Sequence, residues 1–386
     1  MSDLSESALK CLSGHGPLGI VLSGGGSRAA YQVGVLKALA QNLEESRGDI
    51  SVIIGASIGS VNGVLFGGLL QTMKPAEAVK VLEAVWIERT FRNTFRGRPS
   101  NAFFRAIKVA FLKYSSPTPD MTSAFIFDPA PLMERIDGIL DEQGGLTLTD
   151  RPTTLHAVGV MTTVEGSKRK PLLIATAKQA LTANDLQGAI YDIRYVPKLG
   201  AKHALASAAL PSVLPPVELD IEESNVRLVD GGISENIPVD PAVRFGCERI
   251  ISIDISGRTW WHDRYGRSHD TREDWEVDPI NESFCLRPPL TFTARNVEGL
   301  GKTLRAAVAG SASDFISALG PTWPIYRILK SKLGEELAYE VMSYVALHPD
   351  YTRALIEKGY KDTLSRIEEL NQFSPKQKLE TSPELG

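Results

Sequence analysis

Residues 50–73, ISVIIGASIGSVNGVLFGGLLQTM, carry no charged side chain, and glycines recur at Gly55, Gly59, Gly63 and Gly67. Few structures accept such a stretch. Its length suits a membrane span, and small residues every four positions are the pattern of packed membrane helices. Ser57, Ser60 and Asn62 interrupt the run, however, and its glycines lower the hydropathy. A second solution fits better: a short buried strand over Val52–Ile54, a tight turn, then a helix buried on nearly every side. The glycine face would let that helix press against a sheet.

The rest of the chain repeats this alternation. Leu18–Leu22 reads as an apolar strand, followed by SGGGSRAA and an amphipathic helix from about Ala29 to Leu43. A further helix is expected over about 75–88, with strands at Thr154–Thr163, Leu172–Ala175, Val226–Val229 and Arg249–Ile255. Strands alternating with helices predict an α/β fold: a mainly parallel central sheet flanked by helices. The expected division is an α/β domain over 16–256, a linker or loop over 257–290, a mostly helical C-terminal extension over 291–372 and a disordered tail over 373–386.

Charge and cysteine content narrow the partners. A net charge of −4 gives no footprint for nucleic acid. Cys11, Cys247 and Cys285 lack the spacing of a zinc site or a disulfide frame. The polar opening MSDLSESALKCLSGHG has no basic flank leading into an apolar stretch, so a cytoplasmic protein is expected. Residues 88–114 mix Arg89, Arg92, Arg96, Arg98, Arg105, Lys108 and Lys113 with five phenylalanines. An amphipathic helix of that composition would rest on an anionic membrane surface; the alternative is a solvated helix packing its phenylalanines on the core.

Three glycine-bearing motifs carry the chemistry. Gly55-Ala56-Ser57-Ile58-Gly59 is GxSxG with a strand leading in and a helix leading out, the context in which a serine is held clear on a sharp turn. Gly24-Gly25-Gly26-Ser27-Arg28 also follows a strand and opens a helix, baring backbone N–H groups towards negative charge. A dinucleotide pyrophosphate or the oxyanion of an acyl-transfer intermediate would suit such a loop. A dinucleotide site wants an acidic residue at the end of the next strand, and GASIG stands there instead, which favours the oxyanion. Asp230 closes the strand VRLV and precedes Gly231-Gly232. A desolvated carboxylate there could serve as general base, although Asp-Gly is also a common hairpin turn. None of the six histidines stands where a triad would need it.

Taken in order, GGGSR, GxSxG and Asp-Gly-Gly resemble the patatin-like phospholipase family. Between the last two, Ala206–Pro211 with Pro215-Pro216 looks like that family's substrate-side loop, and Asn236, Pro238 and Gly246 follow as the family tends to have them. The resemblance covers about residues 16–256. It implies hydrolysis of a phospholipid or other lipid ester through a Ser57–Asp230 dyad. The Gly25 and Gly26 amides, helped by Gly24 or Ser27, would form the oxyanion hole. Gly55, Gly59, Gly231 and Gly232 would support the dyad, and Arg28 would orient the loop or attract an anionic head group. Neither metal nor cofactor is expected. Ala29 departs from the family, which usually has glycine after the basic residue. Acyl transfer on a related fold, or a non-catalytic lipid-binding scaffold, are the alternatives; Ala56, where the transferases place histidine, counts against the first.

Overall fold

The computed structural model describes residues 16–46, 50–97, 125–149, 153–166, 170–221, 224–255, 275–276, 290–294 and 300–373. Strands β1 (Leu18–Leu22) and β2 (Ile50–Ala56) are continuous apolar runs buried along their whole length, as parallel strands covered on both faces must be. They lie at the centre of a sheet whose path is β5-β4-β3-β2-β1-β8-β10-β9. Its other members are β3 (Ala157–Val164), β4 (Pro171–Ala177), β5 (Asp192–Tyr195), β8 (Arg249–Ile253), β9 (Trp275–Glu276) and β10 (Leu290–Ala294). A hairpin of β6 (Val217–Ile221) and β7 (Ser224–Asp230) joins this path through β7 and β3. From β3 through β2, β1 and β8 to β10 every pairing is parallel. The sheet therefore continues past residue 256, where the sequence pattern ended it, because β10 adds to the edge of β8.

Register decides where the site forms. On β3, Ala157–Met161 pair with Val52–Ala56 of β2, and the next residues pair with β7 instead, Thr162 opposite Asp230. β2 thus leaves the edge of β3 where β7 takes it over. The residue after β2 is Ser57, and the residue that ends β7 is Asp230. Two segments far apart in sequence deliver their terminal side chains to one place.

Helices cover both faces. α1 (Ala30–Ser46) follows the glycine loop, and α2 (Ile58–Leu69) follows Ser57 with every residue buried. A side chain at Gly63 or Gly67 of α2 would press on Ile53 or Val158 of the sheet, so the glycine face does lie on the strands. Among the described residues, no helix is long and apolar enough to cross a membrane. α3 (Pro75–Ile87), the short α4 (Phe91–Thr94), α5 (Ala130–Glu142), α6 (Ala201–Ala208) and α7 (Val239–Arg244) complete the N-terminal two-thirds.

The C-terminal part is helical, as expected: α8 (Leu300–Ala307), α9 (Ala312–Leu319), α10 (Trp323–Leu333), α11 (Glu335–Met342) and α12 (Pro349–Phe373). It is no appendage. Leu300, Leu304, Met342, Leu355 and Ile356 belong to the same buried cluster as β1, α1 and α2. α12 crosses α1 at close range, with Gly34 against the Ile356 carbonyl and Gly359 against that of Tyr31.

The expected amphipathic helix over 88–114 is not found where residues are described. α4 ends at Thr94, Arg96 bridges to Asp128, and Arg89 is buried under the Trp86 ring. Phe91 and Phe95 turn inward onto Phe127. Residues 98–114 lie outside the described residues, as do Cys11, Cys285, the tail 374–386 and most of the expected linker.

Candidate active site

Ser57 sits between β2 and α2 with φ 51° and ψ −131°. A non-glycine residue at such an angle stores about 1–3 kcal/mol of backbone strain, so its surroundings must hold it there. The flanking glycines permit the turn: a Cβ on Gly55 would lie 2.6 Å from the Gly59 carbonyl carbon, and one on Gly59 would meet the Ser23 carbonyl oxygen at 2.6 Å. Ser207 does the holding. Its buried hydroxyl accepts the Ser57 N–H at 2.8 Å and the Ser60 hydroxyl at 2.7 Å while donating to the Met161 carbonyl. That single side chain ties the turn to β3 and leaves none of its own capacity idle.

Across the junction, Ser57 Oγ donates to Asp230 Oδ2 at 2.6 Å. The other oxygen, Oδ1, accepts the Gly232 N–H at 2.7 Å, and Thr163 Oγ1 donates to the Asp230 backbone carbonyl at 2.8 Å. Asp230 is not in a hairpin turn; it ends β7 and caps a short 3-10 turn over Gly231–Ile233. It is 5% exposed. Burial raises its pKa from the ordinary carboxylate value to about 6, opposed in part by the hydrogen bonds from Ser57 and Gly232. A carboxylate of that pKa is ionised at neutral pH and is a better proton acceptor than an exposed aspartate.

The glycine loop faces this pair. A Cβ on Gly24 would lie 2.7 Å from Ser57 Cβ and 3.4 Å from its Oγ, so only glycine lets this backbone reach the serine. The four candidate amides are not equivalent. Gly24 N–H donates to Asn236 Oδ1 at 3.2 Å and Ser27 N–H to the Tyr344 carbonyl at 2.7 Å. Gly25 and Gly26 precede and open the 3-10 turn over Gly26–Ala29, where N–H groups have no intrahelical acceptor. In this arrangement the Gly24 and Ser27 N–H groups are already engaged, which leaves those of Gly25 and Gly26 as the candidate donors.

Arg28 departs from one of its two expected roles. It is fully buried, and its guanidinium donates to Ser343 Oγ at 2.7 Å, to the Glu340 carbonyl at 2.8 Å and to the Glu340 carboxylate, while lying over the Tyr344 ring. Such a cation is committed to partners inside the protein, an arrangement that suits orienting the loop better than meeting a head group. Ala29 is buried at the end of the 3-10 turn, just before α1, and its carbonyl accepts from Asn62 Nδ2 at 3.1 Å, so an alanine is accommodated there.

Sequence reading left several contributors without a role. Ser207 stands in a run of small residues that looks like a substrate-side loop, yet it lies on α6 behind the Ser57 turn. Asn236 was marked only by resemblance; its amide oxygen bridges the glycine loop to the segment after Asp230, within 2.6 Å of where a Gly232 Cβ would stand. Glu340, Ser343 and Tyr344 carry no sequence signal, because their partner Arg28 is more than three hundred positions away.

A model of the patatin-like phospholipase family matches residues 20–243. Lysophospholipase nte1 of Aspergillus terreus is 26% identical over 238 residues, which is 62% of this chain and 12% of that protein. Lysophospholipase nte1 of Aspergillus niger gives the same identity and coverage. The chain thus spans only 12% of the length of the curated relatives it matches. Among solved structures, human GIVD cytosolic phospholipase A2 aligns over 96% of this chain and 62% of its own, with a TM-score of 0.44 and 13% identity. VipD from Legionella pneumophila aligns over 92% and 67%, with a TM-score of 0.36 and 14% identity. The family model takes in more than half of the chain, including the glycine loop, the Ser57 turn, Ser207, Asp230 and Asn236, and on that match the chain belongs to the patatin-like phospholipase family.

Proposed function

We propose that this protein hydrolyses carboxylic-ester bonds of phospholipids or related lipids through a Ser57–Asp230 dyad. The hydrogen bond from Ser57 Oγ to Asp230, made by a strained serine facing a glycine loop, carries the reading. Family membership supports a lipid substrate, and so do the relatives named lysophospholipase. Beside the dyad, the Ala209 carbonyl accepts the Asp230 N–H at 3.0 Å, and the next residue, Leu210, is 47% exposed. An apolar side chain is thus presented to solvent near the dyad, which is compatible with an acyl-chain substrate.

In this mechanism the Asp230 carboxylate takes the Ser57 proton as Oγ bonds to the ester carbonyl carbon. The carbonyl oxygen gains the electron pair and is held by the Gly25 and Gly26 N–H groups, an arrangement worth a few kcal/mol of barrier. Collapse breaks the bond to the leaving alcohol, which takes the proton from Asp230. Water then attacks the acyl-serine with Asp230 again as base, releasing the fatty acid and restoring Oγ–H.

The test is hydrolysis of p-nitrophenyl butyrate, with fluorophosphonate labelling alongside and EDTA present. Wild type should turn over and be labelled at Ser57, and Ser57→Ala should lose both together. An unlabelled, inert wild type would sink the hydrolase reading and leave a lipid-binding scaffold.

A further inference from the structure

We propose that residues 340–344 position the oxyanion loop, so that Glu340, Ser343 and Tyr344 are positioning residues for catalysis although none reaches the substrate. The proposal rests on the dyad reading above. Three consecutive loop residues are fastened to this one segment. Gly26, at φ 61°, lies so close to the Tyr344 carbonyl that a Cβ would collide with it. Ser27 N–H donates to that same carbonyl at 2.7 Å. Arg28 is clasped by Ser343 Oγ, the Glu340 carbonyl and the Glu340 carboxylate, with the Tyr344 ring 3.7 Å beneath its guanidinium carbon.

The segment is itself anchored. Glu340 Oε2 accepts the Gly301 N–H at 2.9 Å, and the buried Tyr351 hydroxyl donates to the Ser343 carbonyl at 3.1 Å. A hydrogen-bond network centred on the fully buried Arg28 fixes geometry because an unmade bond there would leave a desolvated charge without its acceptor. Its consequence falls on two particular amides. With Ser27 N–H occupied and Gly26 pinned, the backbone of Gly25 and Gly26 is held beside Gly24, the residue that packs against Ser57. Donors to a developing oxyanion are effective only when held in place beforehand.

Glu340→Ala removes the carboxylate and keeps the backbone, Glu340→Gln keeps an acceptor without charge, and Ser343→Ala removes one hydroxyl. For p-nitrophenyl butyrate, Glu340→Ala should lower kcat roughly ten- to a hundredfold with KM within about twofold, less than outright deletion of an oxyanion donor, which costs about a hundred- to a thousandfold. Glu340→Gln should recover most of the loss. Hydrogen–deuterium exchange, read well below the melting temperature, should speed up in the peptide covering residues 23–29.

Unchanged kcat together with unchanged exchange in that peptide would overturn the proposal. So would activity lost only in proportion to the unfolded fraction, without rescue by glutamine. If Glu340→Ala does not fold, Glu340→Gln and Ser343→Ala carry both measurements, a smaller kcat loss with faster exchange being the supporting result. An inert, unlabelled wild type would refute the hydrolase reading alone; the exchange measurement would still decide whether the loop depends on Glu340.

Discussion

Asp230 is held in a state its chemistry resists. Its pKa of about 6 stands above the ordinary carboxylate value of 3.8, chiefly through burial. On the proposed mechanism the ionised form accepts the Ser57 proton, so kcat/KM should rise with pH through about 6 and then level. A profile already flat at pH 5 would move the base elsewhere. Stability runs the opposite way. Because folding raises this pKa, the protonated carboxyl is the form the fold prefers. Its contribution is complete below about pH 4 and is lost as pH rises through about 6. A shift of about two units corresponds to roughly 3 kcal/mol at neutral pH. Asp230→Asn should therefore abolish turnover yet melt above wild type at pH 8, with the advantage gone near pH 4. A variant that melts lower at every pH would mean that the lost hydrogen-bond geometry outweighs the relief of charge.

At the scale of elements, the strand–turn–helix around Ser57 was legible because two constraints coincide there: a charge-free run and glycines at the turn. Gly59 should tolerate no side chain, since its Cβ would strike the Leu22 carbonyl at the end of β1 and that of Ser23 just beyond it. Gly59→Ala should lose fluorophosphonate labelling and melt lower, by several degrees in a thermal scan. Ser207 was not legible, because nothing in a run of alanines marks which small residue bears a hydroxyl with three partners. Ser207→Ala would leave the Ser57 N–H and the Ser60 hydroxyl buried without an acceptor, about 1–3 kcal/mol for each such group. It should lower kcat more than it raises KM; an equal loss on both would place Ser207 on the substrate side after all. For 88–114 the described residues, 88–97, follow the alternative reading, with phenylalanines packed inward, and the rest of that segment lies outside the described residues. Composition does not orient a side chain, and Arg89 spends its charge against the Trp86 ring inside the protein.

For the molecule as a whole, the α/β class and the order of the motifs followed from the sequence, whereas the place of the C-terminal helices did not. Their pattern reads as an extension because short-range periodicity reports a helix without naming what it packs against. The packing is with α1: Tyr31 Oη donates to Asp362 at 2.9 Å, and Gly34 and Gly359 bring the two backbones together. A chain ending at residue 299 should show no single cooperative melt and should bind an apolar dye, since the buried face of α1 would lie open. A sharp transition at the wild-type temperature would show that residues 16–299 form an independent unit.

The crossing of α1 by α12 also sets an order of events during synthesis. Ser57 and Asp230 leave the ribosome long before α12 does, and Arg28 waits for Ser343, 315 positions on and just ahead of that helix. Contacts of such separation close late, because the intervening chain must be gathered first. On the proposed mechanism, a half-made polypeptide would carry Ser57 and Asp230 without a finished loop to serve them, and turnover would begin only once the segment that clasps Arg28 has arrived.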